Sequence, residues 1–191
     1  VPVVRETLPA IRRTVGLVFQ DPDDQLFMPT VGEDVAYGPA RMGLPPEEIE
    51  ARVRSALERV GIEHLRDRAP FRMSFGEKRL AALAATLAMS PDILALDEPS
   101  ANLDPLARRR LIGLLASFEH TRIVATHDLD LALDVCPRTI VLSRGKVLAD
   151  GPTEKILTDD ALLASAGLER PLGLLGSGRI GERVGPVASG G

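Results

Sequence analysis

The chain has 191 residues, of which 45% are hydrophobic and 26% charged, with a formal net charge of −4. That length suits one domain with a substantial core, and the balance is globular, too polar for a membrane-embedded protein. No run approaches the ~20 apolar residues of a spanning helix, the first residues carry no stretch of signal-peptide type, and the acidic balance exerts no global pull on nucleic acid. A cytosolic protein that does not bind nucleic acid is expected. The only cysteine, Cys136, has no partner for an internal disulfide or a thiolate metal cage and reads as a small buried residue.

In chain order, residues 14 to 19, TVGLVF, form a β-branched apolar run that predicts a buried strand ending at Gln20. Asp21, Pro22, Asp23 and Asp24 break the run and leave Gln20 at a strand end, where side chains often meet ligands. From Pro46 to Val60, Ile49, Val53, Leu57 and Val60 recur at helical spacing; Glu47 and Glu48 suit the positive end and Gly61 closes the helix. The alanine-rich segment from Ser74 to Met89 predicts another helix, headed by the capping-box pair Ser74 and Glu77.

Residues 93 to 96, ILAL, predict a strand buried on both faces that delivers Asp97. Asp104 and Pro105 make an N-cap and first-turn pair for a helix running to about Phe118. A strand at 122 to 126 ends at His127, and Asp128 caps a short helix carrying Leu129, Leu131 and Leu133. This alternation argues for an α/β fold with a mainly parallel sheet, whose ligands bind beyond the carboxyl ends of the strands. Residues 139 to 142 and 146 to 149 flank Ser143, Arg144 and Gly145 as an antiparallel hairpin. From residue 167 to 191 the chain is glycine-rich and reads as a flexible tail; its GSGRIG at 176 to 181 lacks the strand that a dinucleotide fingerprint requires.

The informative feature is ILALDEPS at 93 to 100, where a buried strand carries two adjacent carboxylates to its exposed end. Asp97 can hold Mg²⁺ through its water shell, and Glu98 can orient and deprotonate a water attacking a phosphate. Alone, the pair is equally an acidic turn after a strand.

In context the residues resemble the ATP-binding-cassette (ABC) ATPases. Gln20 matches the Q-loop glutamine, MSFGEKR at 73 to 79 the signature motif, LALDEP the Walker B motif, SANLD at 100 to 104 the D-loop, and His127 the switch histidine, all in the family's order. The resemblance runs from about Val15 to Gly151. It implies a P-loop NTPase-like ABC domain over residues 1 to 166, with a helical signature subdomain at about 33 to 90, and ATP and Mg²⁺ as cofactors. Glu98 and His127 would be catalytic, with Asp97 and Gln20 toward the metal.

Ser74, Phe75, Gly76 and Glu77 would present a helix start to the γ-phosphate held by a second ABC subunit, in a homo- or heterodimer. Asp104 would order that facing subunit, a role compatible with simply capping its own helix. FQDPDDQLF at 19 to 27, with VGEDVAYGPARMGL at 31 to 44, is similar to the cobalt/nickel energy-coupling-factor ATPases. This implies a membrane importer, a transmembrane partner docking near Asp21 to Phe27, and a peripheral place on the cytoplasmic face of the membrane.

Two departures from the family stand out. The 191 residues hold no G-x-x-x-x-G-K-[ST] loop to cradle phosphates, so roughly the first quarter of the domain is expected to be missing. Phe75 stands where the family has a glycine and is expected to crowd a phosphate, weakening turnover in the partner's site. Two alternatives to an importer ATPase follow: a shortened, non-catalytic partner that donates its signature motif to an intact ATPase, and an ABC ATPase outside transport.

Overall fold

The structure is a computed structural model that describes residues 2–175. Contacts divide the chain into two compact units, one ending at His127 and one beginning at Asp128. That division falls inside the span read from sequence as one domain, where the chain changes from parallel sheet to hairpin.

The first unit holds a three-stranded parallel sheet in the order β1 (Val15–Val18), β2 (Ile93–Asp97), β3 (Thr121–Ala125). Val18 lies opposite Leu96, and Asp97 opposite Ala125, so all three strands run out at the same edge. Between β1 and β2 come α2 (Val31–Arg41), α3 (Pro46–Val60) and α4 (Phe75–Leu87); α5 (Pro105–Ser117) crosses from β2 to β3. Before β1 lies α1 (Leu8–Thr14), which buries no residue and whose arginines gave no periodic apolar signal.

Residues of α3 form a helix for the reasons visible in sequence. Val53, Ala56, Leu57 and Val60 are buried on one face, and Gly61 closes the helix at φ 72°, a left-handed conformation that costs glycine nothing. In α4 every residue from Arg79 to Ala84 is buried. Its alanines let α2, α3 and β1 approach closely, so α4 is the spine of this unit's core.

The second unit begins with α6 (Leu129–Val135), capped by Asp128, and continues as the antiparallel pair β4 (Arg138–Ser143) and β5 (Lys146–Pro152). Arg144 at φ 49° and Gly145 at φ 73° make the two-residue turn whose twist matches the strands. Then come α7 (Thr153–Leu157), α8 (Asp160–Ala166) and α9 (Leu172–Leu175). Ala132, Val141, Ile156, Leu157 and Leu163 form the core of this unit. Leu168 and Leu174 pack against that core, Arg170 pairs with Asp160 at 2.9 Å, and the Gly173 N–H donates to Asp130 at 2.7 Å. The segment 167–175, expected as flexible tail, is thus folded onto this unit, because two leucines and an arginine find partners there. The rest of the expected tail, with GSGRIG, lies outside the described residues. Cys136 is half-buried, short of the full burial expected.

Candidate active site

Parallel register determines what meets at the sheet edge. With Asp97 opposite Ala125, Glu98 lies beside Thr126 and His127. The Glu98 N–H donates to the Ala125 carbonyl at 2.8 Å, and Glu98 itself sits at φ 44°, in the left-handed region where a β-carbon is strained. Its carboxylate is held on both oxygens: Oε1 accepts from the His127 N–H at 3.0 Å and from His127 Nδ1 at 2.8 Å, while Oε2 accepts from Thr126 Oγ1 at 3.0 Å. A carboxylate has about four acceptor positions, so one on Oε2 is left for a water. The Glu98 side chain is 18% exposed and that of His127 79%, which puts the histidine on the outer side of the pair. Such an arrangement can polarise a water and present an imidazole to the group it attacks.

Asp97 and Gln20 are exposed residues at the ends of β2 and β1. Their hard oxygen donors suit Mg²⁺, which keeps most of its water and takes one or two protein ligands beside phosphates. Among the described residues no cluster of three or more His, Cys, Asp or Glu side chains placed to hold a metal occurs.

The signature residues form a separate cluster at the start of α4. Ser74 Oγ accepts from the Glu77 N–H at 3.3 Å, and the Ser74 N–H donates to the Glu77 carboxylate at 2.7 Å, the reciprocal box expected from sequence. The N–H and hydroxyl of Ser74 hold the Glu77 carboxyl below its ordinary value. Because Glu77 occupies its own cap, Phe75 and Gly76 carry the first-turn N–H groups that have no intrahelical acceptor. Gly76 faces the end of the D-loop: a β-carbon there would lie 3.7 Å from Leu103 and 4.0 Å from Asp104 Oδ2. Asp104 Oδ1 meanwhile accepts from the Leu106 and Ala107 N–H groups at 2.8 and 2.9 Å, capping α5. Both readings of Asp104 therefore have an oxygen available.

Phe75 is the first residue of α4. The ring is half-buried and stacks on the guanidinium of Arg79, 5.2 Å from its centroid. Arg79 is the residue that sequence reasoning missed. It is 1% exposed, and it donates to the Gln20 carbonyl at 2.7 Å and to the Glu98 carbonyl at 3.1 Å. The available signal was its position: a charge one turn into the helix, directly before the run Leu80 to Ala85 of leucine and alanine.

The loop after Gln20 is tied down at three points. Lys78 Nζ pairs with Asp23 at 2.6 Å. Gln25 accepts from the Phe19 N–H and donates to the Ala82 carbonyl and to Thr86 Oγ1. Buried Asp34, on α2, accepts from the Phe27 and Met28 N–H groups, both at 3.0 Å. Burial pushes the Asp34 carboxyl above its ordinary value. Phe27 remains 63% exposed, edge-on to exposed Tyr37 at 4.9 Å.

Residues 10–134 match a family model described as "AAA domain, putative AbiEii toxin, Type IV TA system". Over 175 residues, 92% of this chain, the sequence is 61% identical to a Geobacter sulfurreducens protein named "Putative ABC transporter ATP-binding protein", and it spans 70% of that protein. It is 42% identical over 170 residues to "Energy-coupling factor transporter ATP-binding protein EcfA" of Methanocaldococcus jannaschii, covering 87% of this chain and 61% of that one. Among solved structures it resembles CbiO1 of Clostridium perfringens, part of the ABC transporter complex CbiONQ, with a TM-score of 0.76 and 37% identity over 92% of this chain and 71% of that one. It also resembles the ATP-binding cassette MJ0796, solved as a dimer bound to ADP and Pi, with a TM-score of 0.70 and 26% identity over 79% of this chain and 68% of that one. With a relative this similar across most of both lengths, the chain belongs to the ABC transporter ATP-binding proteins, ATPases of P-loop NTPase-like α/β fold.

Proposed function

We propose that the chain is the ATP-hydrolysing part of a subunit that energises a membrane importer, with a transition-metal ion, cobalt or nickel, as cargo. The observation that carries the importer reading is the tethered loop 21–27. It exposes Phe27, edge-on to Tyr37 of α2, while Lys78 pairs with Asp23, the Gln25 side chain bonds Thr86 and Asp34 accepts from the Phe27 N–H. An exposed aromatic pair shared by a tethered loop and the helix that follows it has the character of a protein-binding surface. The likeness to a CbiONQ component and to an energy-coupling-factor ATPase supports a transmembrane partner there and a peripheral place on the membrane. Among the described residues no helix is long and apolar enough to cross a membrane.

In this reading ATP is hydrolysed between two ABC subunits, as the dimeric neighbour suggests. Glu98 accepts the proton of the attacking water, and His127 orients Glu98 and faces the phosphate. Asp97 and Gln20 would hold Mg²⁺, which when bound would supply neutralisation of phosphate charge. Ser74, Phe75, Gly76 and Glu77 present the first turn of α4 to the facing subunit's nucleotide, beside Asp104.

Co-purification of the full-length protein with the transmembrane subunit, and cobalt or nickel accumulation by cells carrying the transporter, test the proposal. Phe27→Asp is expected to abolish assembly, and Glu98→Gln to abolish accumulation without affecting assembly. Assembly that survives Phe27→Asp would refute the docking site, and transport of neither metal would refute the cargo.

A further inference from the structure

A buried arginine joins three of the motif segments of the first unit, those of Gln20, the signature helix and Glu98. Arg79 leaves the interior face of α4, and one of its terminal nitrogens donates to the Gln20 carbonyl at 2.7 Å. The other donates to the Glu98 carbonyl at 3.1 Å and reaches the Asp97 carbonyl at 3.5 Å. Nε finds no hydrogen-bond partner among the described residues. The Phe75 ring covers the guanidinium from the start of the same helix.

Burying a cation is unfavourable, and among the described residues this one has no carboxylate at ion-pair distance, though the fields of Asp21, Asp97 and Glu98 favour its charge. Burial accordingly weakens its hold on the proton relative to an ordinary arginine. What the arginine alone supplies is a planar fork able to grip two backbone carbonyls from different strands at once.

One of those carbonyls belongs to the strained residue. Glu98 is held at φ 44° through its N–H to Ala125, its carboxylate to Thr126 and His127, and its carbonyl, which accepts from Arg79 and from the Ala101 N–H at 3.2 Å. The first two come from β3 and the segment after it. Only Arg79 ties Glu98 to the end of β1 and to the signature helix.

We infer that Arg79, braced by Phe75, is a positioning residue that couples the backbone at Gln20, the orientation of Glu98 and the start of the signature helix. The inference rests on the proposed role of Glu98 in hydrolysis. Movement of α4 toward or away from a nucleotide is then transmitted to Glu98 through the guanidinium. Phe75, in a position where glycine would leave the guanidinium uncovered, helps hold that link.

The test uses the full-length protein in its assembled form, with kcat, KM for ATP and urea midpoint measured together. Arg79→Lys keeps the charge but loses the fork, and it is expected to lower kcat roughly tenfold while leaving KM within about twofold. Adding methylguanidinium to Arg79→Ala should restore part of kcat, whereas methylammonium should not. Phe75→Gly is expected to lower kcat several-fold at unchanged KM, the reverse of the increase expected if the ring merely crowded the phosphate.

A merely structural role would shift the urea midpoint and leave kcat per folded molecule unchanged. Arg79→Lys with kcat within about twofold of the unsubstituted protein would overturn the inference. If the Arg79 variants do not fold, Phe75→Gly decides: kcat that is unchanged or raised sinks it. Full turnover in Glu98→Gln would instead remove the assigned role of Glu98, a failure recognisable separately from these.

Discussion

Glu98 Oε1 accepts two hydrogen bonds from a single residue, His127, one from its backbone N–H at 3.0 Å and one from its ring at 2.8 Å. Backbone and side chain of the histidine thus aim the same carboxylate oxygen, and Thr126 fixes the other. Glu98→Gln keeps the size and removes the negative charge and its proton-accepting capacity. Steady-state turnover of the assembled full-length protein is expected to fall about 10²- to 10⁴-fold, with nucleotide affinity retained.

Gly76 distinguishes fold from function. A β-carbon there meets only ordinary contacts, 3.7 Å from Leu103 and 3.8 Å from Ala107. Gly76→Ala should therefore leave the urea midpoint unchanged or raised, by about 0.4–1 kcal/mol of stability, since alanine restricts the unfolded chain. Turnover in the assembled dimer should nevertheless drop, because a methyl group stands beside an N–H that must meet phosphate. Equal losses of stability and turnover would argue against this.

The Glu77 cap has a pH signature. Its folded carboxyl lies below the ordinary 4.5, held there by the N–H and hydroxyl of Ser74. The stability it contributes is complete above 4.5 and is lost as pH falls through the lower folded value. Urea unfolding of wild type and Glu77→Gln should show a constant difference from neutral pH down to 4.5, narrowing below it.

Asp34 gives the opposite sign. Burial raises its folded carboxyl above 3.8, so its titration favours the folded state below 3.8 and loses that contribution as pH rises through the folded value. The two N–H groups it accepts from are nonetheless needed: Asp34→Ala leaves Phe27 and Met28 without that acceptor. A cost of about 1–3 kcal/mol in urea unfolding is expected, together with weaker capture of the transmembrane subunit as Phe27 loses its support.

Most elements of the first unit were legible because their signals are local. The boundaries of α3, the box at Ser74 and Glu77, the Asp104 cap and the carboxylates at the end of β2 each depend on a few neighbouring residues. In the second unit the hairpin and its turn were legible for the same reason. What escaped depended on distant partners. Arg79 looks from sequence like one more charge near a helix start, and its burial follows from carbonyls contributed by two strands. Leu168 and Leu174 stand among glycines and prolines with no periodicity, and it is the core of Ala132, Val141, Ile156, Leu157 and Leu163 that gives them a place to pack.

The sequence by itself determined the five strands, the helices α3 to α6, the motif residues and the cap chemistry, because hydrophobic spacing and side-chain-to-backbone hydrogen bonds act over a few residues. The tertiary structure alone decided that β1, β2 and β3 run out together, so that Glu98 meets His127. It also decided that Phe75 covers Arg79 and that the loop after Gln20 is tied to α2 and α4. Those pairings join residues far apart in the chain. They form only when packing of the sheet and helices has already brought them within hydrogen-bond reach.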